Sequence, residues 1–189
     1  MTSNPSQEFR IFISSTFNDL DEERTFLMTR VFPKLIQIAS ERGVVLTPIG
    51  LRWGILTSNI DKYINTTIVD SCLKEIDASH CFIGIVGSRY GWCPTNEDLK
   101  NSVYLKHLPT LTEGRMSMTE IEMQFGVFMN KKSRPAFFFL KNTEENNLSQ
   151  THQLREQILK TQNNNVVFVF NAKEQSKKLD YYLKELVGK

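Results

Sequence analysis

The chain has 189 residues, of which 40% are hydrophobic and 11% aromatic, enough for one packed domain of ordinary size. Its 23 basic and 21 acidic side chains leave a formal net charge of +2, too small an excess to indicate a nucleic-acid-binding surface. No apolar run approaches the roughly 20 residues that span a bilayer, and residues 1–8 lack the pattern of a secretory signal. The three cysteines have no CxxC spacing, so we expect reduced thiols and no metal centre in a cytoplasmic protein.

Short apolar runs alternate along the chain with longer segments of helical period. Runs rich in β-branched and aromatic residues predict strands at 9–13, 44–46, 81–86, 136–140 and 166–170. Apolar residues at three- and four-residue spacing predict helices at 19–42, 66–79, 117–130, 151–162 and 175–187. Pro33 should kink or divide the first helix, because proline has no backbone N–H to donate.

One connection is unusually long for a compact domain. Residues 93–114 include Pro94 and Pro109 and show no clear periodicity. Segments of this kind are often lids, binding loops or partly helical insertions. We therefore predict a single domain over 1–189 that carries an irregular insertion at 93–114.

The alternation of strands and helices predicts an α/β fold with helices on both faces of a parallel sheet, because crossovers between parallel strands are right-handed. The plausible arrangement is a flavodoxin-like, three-layer fold with five strands in the order 2-1-3-4-5. Ligands of such folds collect at the carboxyl ends of the strands, near the switch between strands 1 and 3. The site is therefore expected in three loops, at residues 14–18, 50–57 and 87–93.

The first loop carries Ser14, Ser15 and Phe17 at the start of the first helix. Hydroxyls and free N–H groups at a helix N-terminus suit a phosphate or a ribose. The same groups are also typical of a helix cap with no ligand. Both interpretations stay open from the sequence.

The second and third loops each pair an arginine with aromatic residues. Arg52 and Trp53 suit a nucleotide through charge and stacking, although a tryptophan there is also typical of the rim of a core. In the third loop Gly87 permits a close backbone approach and Arg89 can meet a phosphate. The alternative for that loop is a tight turn with aromatic packing around Tyr90.

Glu120, in the third predicted long helix, is the best candidate for a catalytic carboxylate. The run Ser117-Met118-Thr119-Glu120 is also a capping box, in which the glutamate bonds back to the amide of the N-cap residue. From the pattern alone the capping role is favoured over catalysis.

Four blocks of sequence resemble one family. They are RIFISSTFNDLDEER (10–24), LRWGI (51–55), CLKEIDASHCFIGIVGSRYGW (72–92) and GRMSMTEIEMQFGVF (114–128). Together they resemble a TIR-like domain, formerly of unknown function, found at the N-termini of large STAND-type NTPases such as nephrocystin-like and telomerase-associated proteins. The blocks cover about the first two-thirds of the chain in order, which makes the match specific.

The resemblance implies a TIR-type fold and a candidate activity. Catalytic TIR domains cleave the nicotinamide–ribose bond of NAD+ with a glutamate of the third helix, which by position is Glu120. NAD+ is then the substrate and no cofactor is required. The hydroxyls of Ser14 and Ser15, with Gly87, would lie at the substrate. Arg52 and Arg89 would meet its phosphates, and Phe17, Trp53 or Tyr90 would stack on a ring.

The resemblance also implies partners and an alternative without catalysis. We expect self-association through TIR-like surfaces, activation by oligomerisation, and C-terminal NTPase and repeat domains in a parent protein, with no nucleic acid or membrane bound. Gly50 stands where the family usually has an acidic residue, and Met116 where catalytic TIR domains often have an aromatic one. These departures favour the alternatives, a homotypic adaptor or a nucleotide sensor without turnover.

Overall fold

The computed structural model describes seven stretches of the chain, residues 7–16, 19–50, 64–112, 115–130, 134–142, 149–161 and 165–171. Phe17, Arg52, Trp53 and the helix predicted at 175–187 lie outside these residues. Among the helices within them, none is long and apolar enough to cross a membrane.

A five-stranded parallel sheet forms the middle layer of the domain. Its strands are β1 (Gln7–Ser15), β2 (Val44–Ile49), β3 (Cys81–Val86), β4 (Ala136–Lys141) and β5 (Val166–Phe170). Their order is β2-β1-β3-β4-β5, and every pair is parallel. The predicted α/β class and the order 2-1-3-4-5 are therefore confirmed. The register pairs Ser14 of β1 with Gly84 of β3, at the switch in strand order.

The first predicted helix is divided, as Pro33 led us to expect. It consists of α1 (Asp21–Phe26), a π-helical turn (Leu27–Val31) and α2 (Phe32–Glu41). The N–H of Phe32 bonds the carbonyl of Leu27, five residues earlier. Pro33 lies at the start of α2, directly after the π-helical turn, where its missing N–H removes one helical hydrogen bond.

The remaining helices follow the predicted order. They are α3 (Ile64–Asp77), α4 (Asn96–Lys100), α5 (Pro109–Thr112), α6 (Met118–Met123), which continues into a π-helical turn (Gln124–Phe128), and α7 (Gln150–Lys160).

The insertion predicted at 93–114 is partly helical rather than irregular throughout. It contains α4 and α5, and α4 begins with a capping box in which Thr95 and Asp98 bond each other's backbone N–H groups. Leu99, Leu105 and Leu111 of the insertion are buried in the core. The segment is therefore held to the domain by apolar packing, which its weak periodicity did not reveal.

The two faces of the sheet carry separate apolar cores. On one face, Phe12 and Phe82 stack with ring centroids 5.7 Å apart, among buried residues of α3, α6, α7 and the insertion. On the other face, Ile13 and Ile83 pack with residues of α1, α2 and the turn between them. Burial of both faces explains the continuously apolar run of β3.

Candidate functional site

The carboxyl edge of the sheet carries a buried carboxylate that the sequence analysis did not single out. Glu122 of α6 is only 8% exposed, and its Oε2 accepts a hydrogen bond of 2.5 Å from the Oγ of Ser14 at the end of β1. The thiol of Cys72, on α3, also hydrogen-bonds this carboxylate. Glu122 therefore joins α6, α3 and the end of β1 at the switch point.

The environment of Glu122 disfavours its charge. Burial raises the pKa of Glu122 to about 7, although the hydrogen bonds from Ser14 and Cys72 favour the ionised form. Burial, and next the neighbouring Glu122, raise the pKa of the Cys72 thiol strongly. The pair is thus an acid that titrates near neutrality beside an un-ionised thiol, and perturbed acids of this kind are typical of functional sites.

Helix packing places Glu122 at this depth. A Cβ added at Gly126 would lie 2.9 Å from Cγ2 of Ile76 and 3.0 Å from Cε2 of Phe82, so the glycine allows the helical segment to approach the sheet closely. The π-helical turn that contains Gly126 begins two residues after Glu122. Such turns are frequent at functional sites.

Glu120 lies two residues before Glu122 in α6 and has different partners. Its N–H donates to the Oγ of Ser117 at 3.2 Å, which is one half of the predicted capping box. Its carboxylate accepts a hydrogen bond from the hydroxyl of Tyr90. The backbone N–H of Ser117, to which a capping-box glutamate would return, acts to lower the pKa of Tyr90. The Glu120 carboxylate is thus bonded by Tyr90.

The two glutamates point to different sides of α6. Residues two apart on a helix are separated by about 200° and do not face each other. Glu120 reaches the loop after β3, whereas Glu122 reaches β1 and α3. Burial, and next the Glu120 carboxylate, raise the pKa of Tyr90, so its hydroxyl stays a donor at neutral pH.

Asp19 occupies the backbone groups of the third loop that a phosphate would need. Its Oδ2 accepts from the N–H of Arg89 at 2.9 Å, and its Oδ1 accepts from the hydroxyl of Thr16 at 2.6 Å. Burial acts to raise the pKa of Asp19, but the hydrogen bonds from Thr16 and from the Arg89 and Ser88 backbone outweigh it, so the pKa lies below its usual value.

The structure shows what surrounds Gly87 and Arg89, two residues predicted to contact a ligand. A Cβ at Gly87 would overlap the Asp19 carboxylate, so the close approach that this glycine permits is made by Asp19. The side chain of Arg89 is exposed on the surface of the loop. Ser15, the last residue of β1, is half-buried. Ligand contacts for these residues stay predictions.

Other charged residues of the first block brace the same edge. Glu23 is buried and pairs with Lys141 at the end of β4, with 2.7 Å between Oε1 and Nζ. Arg24 donates from Nη1 to the carbonyl of Thr16 at 2.7 Å. Within the described stretches, no group of three or more His, Cys, Asp or Glu could hold a metal ion.

Two of the predicted residues thus contact different glutamates of α6. Ser14 is joined to Glu122, and Tyr90 is joined to Glu120. Glu122 had a signal in the sequence, since it is four residues after Met118 and three before Phe125, both on the inward face. A glutamate on an apolar stripe indicates a buried carboxylate. The capping-box pattern instead pointed to Glu120.

Comparison with known proteins identifies the family. The family described as "Domain of unknown function (DUF4062)" matches residues 10–188. The chain belongs to this family. It is 35% identical over 130 residues to telomerase protein component 1 of Rattus norvegicus, a match that covers 69% of the chain and 5% of that protein. It is 30% identical over 146 residues to a TPR repeat-containing protein of Dictyostelium discoideum, covering 72% of the chain and 9% of the relative.

A further relative is the human NACHT and WD repeat domain-containing protein 2, which is 27% identical over 141 residues, covering 72% of the chain and 8% of that protein. The chain thus spans less than a tenth of the length of these relatives. An FMN-dependent NADH-azoreductase from Bacillus anthracis superposes with a TM-score of 0.46 and 8% identity, over 96% of this chain and 98% of that one. The DUF4062 domain is therefore shared with much longer proteins whose names include NACHT, WD and TPR repeats.

Proposed function

We propose that this DUF4062 domain is a TIR-like cytoplasmic effector, part of a larger signalling protein, that cleaves the nicotinamide–ribose bond of NAD+. The observation that carries the proposal is the buried Glu122 carboxylate, bonded to Ser14 at the switch point of the sheet. Ligands of doubly wound folds bind at that position. Glu122 acts as the catalytic carboxylate, in place of the Glu120 suggested by the motif.

The chemistry requires one carboxylate and no general acid. In NAD+ the nicotinamide leaves as a neutral molecule when the bond from its nitrogen to C1′ of the ribose breaks, so no leaving group has to be protonated. Water then adds to C1′, and the products are ADP-ribose, nicotinamide and one proton. A carboxylate at low dielectric stabilises the positive charge that develops on the ribose and accepts hydrogen bonds from its hydroxyls.

Substitution of each glutamate tests the assignment. Glu122→Gln keeps an acceptor for Ser14 but removes the charge, and we expect NAD+ consumption to fall by at least about a hundredfold, the usual scale for loss of one electrostatic group. Glu120→Gln is the matched control, because it makes the same change two residues away. Product analysis is done on the isolated domain and on an artificially clustered form. Loss of activity in the Glu120 variant alone would return catalysis to Glu120.

A non-catalytic adaptor is the second candidate. It is favoured because the carboxylates of the site already have hydrogen-bond partners within the chain. Glu122 is already hydrogen-bonded by Ser14 and Cys72, and Glu120 by Tyr90. In this alternative the domain acts by homotypic self-association within a parent protein that carries NTPase and repeat domains C-terminal to it. Demonstrated self-assembly without any loss of NAD+ would favour it. Calorimetric binding of NAD+ or ADP-ribose without products would instead favour a nucleotide sensor.

A further inference from the structure

The carboxyl edge of the sheet contains an unusual concentration of buried polar side chains. Five of them lie around the contact between β1 and α6, namely Ser14, Thr16, Ser117, Thr119 and Glu122, and each is less than 9% exposed. Burial of hydroxyls and a carboxylate costs free energy unless hydrogen bonds compensate it. Three of these side chains have such partners, since Ser14 bonds Glu122, Thr16 bonds Asp19 and Ser117 accepts from the N–H of Glu120.

A short segment of chain, residues 87–93, packs against three members of this polar cluster, Thr16, Ser117 and Thr119. Gly91 has a φ of +99°, and a Cβ on it would lie 3.3 Å from Cγ2 of Thr16 and 3.3 Å from Oγ1 of Thr119. The segment is therefore wedged between the end of β1 and the start of α6. Arg89 and Trp92 of the segment are exposed, the latter to 41%, whereas Tyr90 is half-buried.

Hydrogen bonds fasten the segment to the first turn of α6. The N–H of Met118 donates to the carbonyl of Trp92 at 2.7 Å. The Tyr90 hydroxyl donates to the carboxylate of Glu120. At the other end, Asp19 holds the backbone of Arg89. The side-chain hydrogen bond that joins the segment to α6 is thus the one from Tyr90 to Glu120.

We propose that residues 87–93 form a cover over the polar cluster, that the Tyr90–Glu120 hydrogen bond is its latch, and that a hydroxyl-rich ligand reaches Glu122 only when the cover lifts. Tyr90 and Glu120 are then positioning residues that control access. The ligand class, a nucleotide that presents its ribose to Glu122, rests on the proposed function. The existence of the cover does not.

The three cysteines of the chain report on the latch without any substrate. Cys93 is exposed and serves as the accessible reference. Cys72 is buried beside Glu122, the residue that the cover would shield, whereas Cys81 is buried at the opposite, amino end of β3. Cys72 should be labelled when the cover lifts, and Cys81 only when the whole domain opens.

The test compares Tyr90→Phe with the unmodified chain of 189 residues, with labelling rates read for each cysteine by peptide mass spectrometry. Loss of one hydrogen bond to a charged group should raise the Cys72 rate roughly tenfold and leave Cys81 unchanged. Glu120→Ala breaks the same bond from the other side, and the double variant should react no faster than either single one. Tyr104→Phe, which removes a hydroxyl from another half-buried tyrosine packed against the segment after α6, is the matched control.

Two results would overturn the proposal. An unchanged Cys72 rate in both latch variants would mean that the cover does not lift there. An equal rise for Cys72 and Cys81 would mean that the variants merely destabilise the fold. The labelling test is independent of the proposed function. A chain that never consumes NAD+ would refute that function, but the labelling pattern would remain as expected.

Discussion

Glu122→Gln should change the stability of the domain in a way that depends on pH. In the folded chain the pKa of Glu122 is raised from 4.5 to about 7, and burial is the main cause. Such a group stabilises the fold fully below pH 4.5, where it is protonated in both states. Its contribution is lost progressively as the pH rises through about 7, because the folded state must then bury a charge.

The size of the effect follows from the shift. At about 1.4 kcal/mol for each pKa unit, the complete change is about 3.5 kcal/mol, and about 2.5 kcal/mol of it falls between pH 5 and pH 8.5. Glutamine has nearly the same shape, accepts the Ser14 hydrogen bond and carries no charge at any pH. The variant should therefore gain about 2.5 kcal/mol relative to the wild type over this interval.

Urea unfolding of both proteins at pH 5 and pH 8.5 measures this difference directly. All other titrating groups are common to the two chains and cancel in the comparison. Glu120→Gln provides the baseline for replacing a glutamate of the same helix. An equal difference in unfolding free energy between wild type and Glu122→Gln at both pH values would contradict this prediction. Glu122 would then not be a buried acid with a raised pKa.

Three further predictions concern the loops around the site. Gly87→Ala should destabilise the domain by about 2 to 4 kcal/mol in urea unfolding, because its methyl group displaces the Asp19 carboxylate from its donors; a stability equal to wild type would show that the loop yields freely. Asp19→Asn should make the domain less sensitive to acid. The lowered pKa of Asp19 gives stability that is present above the unfolded pKa near 3.8 and is lost as the pH falls through the folded pKa. Acid-unfolding midpoints check this, and coincident curves for the two proteins would contradict it. Ser117→Ala should cost about 1 kcal/mol of stability through loss of the N-cap of α6, whereas Ser117→Asp should retain most of it, and equal losses in thermal unfolding of the two variants would count against a capping role.

Most of the fold was predictable because it depends on patterns that are local in sequence. Each strand is a short apolar run, each helix has its own apolar stripe, and their alternation permits few sheet topologies. The division of the first helix followed from one residue, Pro33, through its missing N–H. The insertion was harder, because α4 and α5 are each too short to show a period and their leucines are ordered by contacts with distant parts of the chain.

The position of the candidate site follows from the topology and stays a prediction, whereas the contacts of its residues come from the structure. The three loops at the carboxyl edge follow from topology alone, and Ser14 and Tyr90 do lie there. Which glutamate faces which loop depends on how α6 is rotated against the sheet. That rotation is decided by close packing at Gly126 and by the bond between Tyr90 and Glu120.

By itself, the sequence determined the α/β class and the parallel sheet with its strand order, because hydrophobic period and crossover handedness act through neighbouring elements. Only the tertiary structure decided that Asp19 fills the backbone donors of the third loop and that Glu122 lies buried beside Ser14 and Cys72. These contacts join residues from about 50 to more than 100 positions apart, and burial, the cause of the raised pKa, arises only when the elements pack together.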